Sequence, residues 1–289
     1  MKFLKKLSCA AAVALSFAGA AHAGPVLNDW KFNPLGTGVA NASNVHEYLD
    51  VVGNAFIQLT TTGANSFSFK ETAVFYVPGI DGTPFDTELY PNGNANITAT
   101  FTAYGTGTFN GAFTFAGGTI NLYQDNAANY GSTAGYYGAN DGNLIATFNV
   151  LAGGGGKVDA LGNPIGNGEV TVFAKADAGD LDPGYFFRGN GSDLSMEKIL
   201  SFAFTNANPV SVPSNRLVSE VACQFAGATP AGTNCATGAG YSNQPGQYFF
   251  VGNNGQFKLA EVPEPGSLAL FGIAMLGAGV TLRKRNTKA

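Results

Sequence analysis

The sequence predicts an all-β protein whose body folds as an antiparallel β-sandwich or a jelly-roll-like structure. Apolar residues alternate with small or hydroxyl residues over many short runs, which is the pattern of half-buried strands. Gly, Asn, Asp and Pro separate these runs and supply the turns. Convincing long amphipathic helices are scarce in the same stretch, so many short strands favour a sandwich-type architecture.

The run 96–104 shows the strand pattern most clearly, because Ile97, Ala99, Phe101 and Ala103 fall on one face. The glycine run 153–156 is predicted to be a flexible loop. The full set of predicted strands, in chain order, is 55–60, 66–69, 73–77, 96–104, 108–115, 119–123, 144–150, 169–174, 199–204, 217–223, 247–251 and 256–259.

The N-terminal segment has the three parts of a secretory signal peptide. Lys2, Lys5 and Lys6 give a positive start, residues 7–20 are apolar, and Ala21-His22-Ala23 gives a small-x-small cleavage site. We therefore predict a signal peptide over residues 1–23, removed by signal peptidase during export.

The C-terminal segment 262–289 combines a rigid motif, an apolar run and a basic tail. Pro263-Glu264-Pro265 can continue neither a helix nor a central strand, because proline lacks the N–H. Residues 267–282 predict a single hydrophobic helix in the membrane. The cluster Arg283-Lys284-Arg285 should stop transfer and stay on the cytoplasmic face. This run is shorter than the roughly 20 residues that span a bilayer comfortably, which argues against an ordinary permanent anchor.

This order of parts resembles the PEP-CTERM sorting signal of Gram-negative bacteria. The resemblance implies that an exosortase recognises and processes Pro263-Glu264-Pro265. It also implies that the protein crosses the inner membrane, is tethered there transiently, and then reaches the cell surface or the extracellular matrix.

Residues 24–261 remain as one extracellular β-rich domain, a length that suits a single sandwich. The whole chain carries 15 Lys and Arg against 19 Asp and Glu. Several of those cations belong to the two terminal segments, so the domain itself is distinctly acidic. Nucleic-acid binding needs clustered Lys and Arg, and we therefore expect no nucleic-acid partner.

Cysteine usage predicts one disulfide. Cys9 leaves with the signal peptide, and Cys223 and Cys235 remain as an even pair in an exported protein. A metal site is a poor alternative, because no nearby His or second Cys pair completes it.

No catalytic constellation is visible, and we predict that the protein is not an enzyme. His46 is the one histidine left after signal cleavage, and the domain has no Gly-x-Ser-x-Gly elbow. A secreted polysaccharide-active enzyme is the alternative, since a glycosidase needs two convergent carboxylates. The sequence does not pair the available glutamates, which are Glu47, Glu71, Glu88, Glu169, Glu197 and Glu220.

Asp177, Asp180 and Asp182 place three carboxylates in one turn-rich segment. Calcium prefers several oxygen ligands at short range, so this segment is a candidate calcium site, and calcium is the one cofactor we consider. A calcium-dependent adhesin or lectin-like module is therefore a further alternative. The bidentate glutamate of an EF-hand is missing, and this favours a solvated loop.

Aromatic residues cluster at 136–137, 185–187 and 248–250. Such side chains could stack on sugars, but aromatic residues in strands more often pack in a core or across strands, which is the interpretation we favour.

The body also resembles the flocculation-associated PEP-CTERM proteins. The shared order is a start at Trp30-Lys31-Phe32-Asn33-Pro34, the run 67–71, and a late Gly184-Tyr185-Phe186-Phe187 followed by Asp193-Leu194-Ser195. This resemblance implies a biofilm or matrix protein that helps cells aggregate within exopolysaccharide. Its partners would be exopolysaccharide or other cells, and it carries over no catalytic residue.

Overall fold

The computed structural model describes residues 26–84, 96–127, 129–165 and 168–262. The predicted signal peptide and the predicted C-terminal helix lie outside these residues. Contacts divide the chain into a main unit, Leu27–Leu259, and a second unit made of Met1–Val26 and Ala260–Ala289.

Strands dominate the described residues, which confirms the all-β prediction. Within the described residues, helical structure is confined to a 3-10 turn at Val39–Asn41 and to α1 (Asn215–Leu217), which continues as a π-helical segment over Val218–Phe225. The strands are β1 (Trp30–Phe32), β2 (Ser43–Val45), β3 (Tyr48–Gly63), β4 (Ser66–Ile80), β5 (Thr83–Pro84), β6 (Asn96–Thr108), β7 (Ala112–Asp125), β8 (Asn143–Val150), β9 (Gly153–Lys157), β10 (Glu169–Ala176), β11 (Phe186–Phe187), β12 (Ile199–Pro209) and β13 (Tyr248–Glu261).

The large sheet closes on itself. Its order is β12-β13-β3-β4-β6-β7-β8-β10, and β10 pairs with β12 as well as with β8. The two halves face each other across a common core, as the sandwich prediction requires. The ring of Phe148 on β8 lies 5.2 Å from the ring of Phe257 on β13, although these strands are not neighbours in the sheet.

Several predicted strands are parts of longer ones. The runs 66–69 and 73–77 form the single strand β4, and 247–251 and 256–259 form β13. The predicted strand 108–115 is wrong, because a turn divides it between β6 and β7. Asn110 occupies the left-handed region at this turn, with a φ of 55°.

The glycine run 153–156 is a strand rather than the predicted loop. Strand β9 pairs with β10 on one side and with β7 on the other. A Cβ at Gly155 would overlap the carbonyl oxygen of Phe113, and the φ of Gly155 is 108°. The close approach of two backbones therefore requires glycine at this position. Composition alone does not show whether a run of glycines is flexible or closely packed.

The predicted strand 217–223 is also wrong, because these residues are helical. Ser214 caps the helix, its hydroxyl accepting a hydrogen bond from the Leu217 N–H at 3.2 Å. Leu217, Val218, Val221 and Ala222 are buried together, which is the spacing of one helical face.

Alternation along the strands produces two separate cores. Inward side chains such as Phe249 and Val251 fill the main core inside the closed sheet. Outward side chains Phe56, Val74 and Phe250 are covered by the helical segment and form a second, outer core.

A small sheet, in the order β11-β1-β2, adds an aromatic cluster. Trp30, Phe32 and Phe186 are fully buried, and the rings of Phe32 and Phe186 lie 5.2 Å apart.

Candidate functional site

The sorting motif Pro263-Glu264-Pro265 and the cluster Arg283-Lys284-Arg285 lie outside the described residues. Within the part of the chain that the structure describes, no helix is both long and apolar enough to cross a membrane.

The structure joins Cys223 to Cys235 in a disulfide, with their Cα atoms 5.5 Å apart, and this confirms the predicted pair. Ser219 donates from its hydroxyl to the Cys235 carbonyl oxygen at 3.0 Å. The bridge therefore ties the loop after the π-helical segment to the helix that covers the outer core.

Two of the three aspartates of the candidate calcium segment, Asp177 and Asp180, have other partners. A carboxylate oxygen of Asp177 lies 2.9 Å from the Lys175 ammonium, and the other lies 3.7 Å from that of Lys198. Asp180 accepts a hydrogen bond from the Asp177 N–H at 2.8 Å. The hydrogen bond from Lys175 lowers the pKa of Asp177, against a smaller opposing effect of desolvation.

Among the described residues, no group of three His, Cys, Asp or Glu side chains is arranged to hold a metal ion. Calcium binding at Asp177, Asp180 and Asp182 stays a prediction, and a cation there would compete with two lysines.

His46 lies on the surface beside an acidic partner. Its Nδ1 is 2.7 Å from Asp29 Oδ1, and the two side chains are 75% and 74% exposed. The hydrogen bond to Asp29 and the charge of that carboxylate raise the pKa of His46.

The aromatic clusters pack mainly inside the protein, as predicted. Phe186, Phe187, Phe249 and Phe250 are buried. The ring of Tyr136 stacks on Phe225 of the helical segment at 4.4 Å, with an interplanar angle of 6°.

A cleft of about 620 Å³ on the outside of the closed sheet is the most open candidate site. The cleft crosses several adjacent strands. Its Asp, Glu, Asn and Gln side chains belong to the strand positions that face outward from the sheet. Asp50 pairs in register with Gln256, and Glu169 with Asn206. The cleft is lined by Asp50, Val51, Val52, Pro78, Gly79, Gly82, Pro84, Glu169, Phe204, Thr205, Asn206, Asn254, Gly255 and Gln256.

Phe204 is an aromatic side chain in this cleft and is 42% exposed. Amide and carboxylate groups from Asn206, Asn254, Gln256 and Glu169 share the same lining. An exposed ring beside groups that donate and accept hydrogen bonds fits a sugar, which presents an apolar face and hydroxyl groups. The sequence pattern did not reveal this site, because its residues come from separate strands.

Among the described residues, the cleft lining contains two acidic side chains, Asp50 and Glu169, and no Lys, Arg or His. One Asp50 oxygen accepts a hydrogen bond from the Gly82 N–H at 2.9 Å, which fixes that carboxylate at the rim. The cleft therefore repels anions and suits a neutral ligand.

The C-terminal segment matches the model of the PEP-CTERM protein-sorting motif over residues 261–285. No curated protein and no solved structure matches the chain. The match covers the Pro-Glu-Pro motif, the apolar run and the basic cluster, and it implies export, transient membrane anchoring and then surface display. The chain therefore carries a C-terminal PEP-CTERM sorting motif, which supports an exosortase-sorted protein of the cell surface or the extracellular space.

Proposed function

We propose that the mature protein is a non-enzymatic matrix or surface protein of a Gram-negative bacterium, and that it promotes cell aggregation by holding exopolysaccharide. The observation that carries this proposal is the sorting motif at residues 261–285, which implies export and then surface display. The resemblance of the body to flocculation-associated proteins supports the same role.

The outer cleft supplies the binding surface in this proposal. Phe204 would stack on the apolar face of a sugar ring, and Asn206, Asn254 and Gln256 would exchange hydrogen bonds with its hydroxyl groups. The described residues of the cleft lining include no cation, which favours a neutral polysaccharide over an acidic one.

Deletion of the gene and complementation test the proposal. Cells that lack the protein should aggregate less, and wild-type protein should restore aggregation. Phe204→Ala and Asn254→Ala should not restore it, while Val212→Ala should, because Val212 is 85% exposed and lies outside the cleft lining. Unchanged aggregation in the deletion strain would remove the flocculation role.

Binding of the purified protein to the cell-free exopolysaccharide fraction separates matrix binding from catalysis. We expect the polysaccharide to retain the protein, and we expect no release of reducing ends from the polysaccharide. A steady release of reducing ends that Glu169→Gln abolishes would instead establish a polysaccharide-active enzyme.

A further inference from the structure

The main core encloses a second cavity, of about 90 Å³, on the inner side of the closed sheet. One water needs roughly 10–15 Å³ of such space, so the cavity has room for a small organic molecule. Its walls are almost wholly Leu, Val, Ile and Phe side chains from the strands that face each other. The polar side chains in the lining are Glu71, Thr205 and Asn253.

Glu71 is the one titratable residue in this lining. It belongs to β4, where Phe67, Phe69 and Phe75 line the same cavity. Its neighbours in register on the adjacent strands, Ile57 and Ala103, are apolar. Within the described part of the chain, the Glu71 carboxyl has neither a hydrogen-bond partner nor an ion-pair partner, and burial raises its pKa to about 7.

Asn253 is the second polar group without a partner. It is 6% exposed, it lines the cavity, and its Nδ2 makes no hydrogen bond in the structure. Its neighbour in register on β3 is Gly53, which has no side chain to meet it. Asn253 is buried and Glu71 is half-buried, and buried polar groups in folded proteins are nearly always hydrogen-bonded, so these two unpartnered groups at one apolar cavity require an explanation.

We propose that this cavity binds a small apolar amine. The alkyl part would fill the apolar walls, and the ammonium group would pair with the Glu71 carboxylate. A cation is the fitting partner because it supplies both the hydrogen-bond donors and the opposite charge that a buried carboxylate lacks here. The free Nδ2 of Asn253 is a donor for a polar atom of the ligand or for a water that accompanies it.

The cavity and the outer cleft share part of their lining. Val51 and Thr205 line both spaces, so these two side chains form part of the wall between them. The site is nevertheless distinct from the proposed polysaccharide surface, since Phe204, Asn206 and Asn254 line the cleft and not the cavity.

Calorimetric titration of the exported protein with n-hexylamine, 1-hexanol and hexanoate at pH 8 tests the proposal. We expect hexylamine to bind best and hexanoate not to bind, because the ionised Glu71 attracts the ammonium and repels the carboxylate. Glu71→Gln should weaken hexylamine binding about tenfold or more, the loss expected for one charge-assisted hydrogen bond. Glu47→Gln is the matched control and should change nothing, since Glu47 is an exposed partner of Lys258.

Glu71→Gln keeps the size of the side chain. The melting temperature of this variant verifies that it is folded. A second variant, Asn253→Leu, should weaken binding without abolishing the preference for hexylamine over hexanol. Hexanol binding as tightly as hexylamine would overturn the assignment of an amine, and absence of binding by all three compounds would overturn the ligand site itself.

Discussion

Phe249 and Phe250 are neighbours in β13, yet their side chains are buried in different cores. Phe249 belongs to the main core inside the closed sheet, and Phe250 belongs to the outer core beneath the helical segment. Both faces of this strand are therefore covered, which explains why the run 248–250 is uninterrupted by polar residues.

Truncation of either phenylalanine should destabilise the protein strongly. We expect Phe249→Ala and Phe250→Ala each to lower the free energy of unfolding by about 3–5 kcal/mol, because each leaves a cavity in a packed core. Phe204→Ala is the control and should cost less than about 1 kcal/mol, because Phe204 is 42% exposed and its removal leaves no enclosed cavity. Chemical denaturation measures all three, and a small effect of Phe250→Ala would contradict the existence of the outer core.

Removal of the disulfide should destabilise the protein by about 3 kcal/mol, the chain-entropy value for a loop with a sequence separation of 12. The double variant Cys223→Ser, Cys235→Ser, compared with wild type in the presence and absence of reductant, measures this loss. Wild type with reductant should match the variant. Two free thiols in protein from the culture medium would show that the bond does not form during export.

Glu71 should make stability depend on pH in an unusual direction. Its pKa in the folded state is about 7, above the ordinary 4.5, so the folded protein holds a proton that the unfolded chain releases. The resulting stabilisation is fully present below pH 4.5 and is lost as the pH rises through 7, up to about 3 kcal/mol in total.

Denaturation of wild type and Glu71→Gln across pH 5–8 checks this expectation. The wild-type free energy of unfolding should decline with increasing pH, and that of Glu71→Gln should decline much less. Parallel curves for the two proteins would show that Glu71 has an ordinary pKa in the folded state.

Asp29 should keep the His46 imidazole protonated to a higher pH than is usual for histidine. The pKa of His46 is raised by its hydrogen bond to Asp29, so its contribution to stability is present below pH 6.5 and is lost as the pH rises through the folded-state value. Nuclear magnetic resonance titration should give a value above 6.5 for wild type and a lower one for Asp29→Asn. Equal values in the two proteins would mean that the contact does not form in solution.

Exosortase processing should remove the C-terminal segment. The expectation rests on the match of residues 261–285 to the sorting motif, which contains Pro263-Glu264-Pro265. Intact-mass analysis of the extracellular protein should find a C-terminus near this motif. A mature species that still carries residues 267–289 would identify the tail as a permanent anchor, and Pro263→Ala with Pro265→Ala should then leave the position of the C-terminus unchanged.

The alternation of apolar and polar residues predicted strands correctly where one face of the strand is buried. The alternation in 96–104 correctly predicted β6, where Phe101 and Ala103 are buried and Thr102 and Tyr104 are exposed, although Thr98 is buried on the other face. The same reasoning failed at Leu217–Cys223, because a short apolar run with valines suits a strand or a buried helical turn equally well. Packing against Phe56 and Phe250 stabilises the helical conformation of this segment.

The sequence by itself determined the destination and the class of the protein: the sorting motif, the paired cysteines and the all-β body are all encoded in short contiguous stretches. Tertiary structure alone decided the rest. Closure of the sheet brings Val51, Thr205 and Asn253 to one place, although they come from three strands far apart in the chain. It also places Glu71 inside an apolar cavity, whereas in the sequence it is one of several unassigned glutamates. The physical reason is that burial and pairing depend on long-range strand register, which no local pattern specifies.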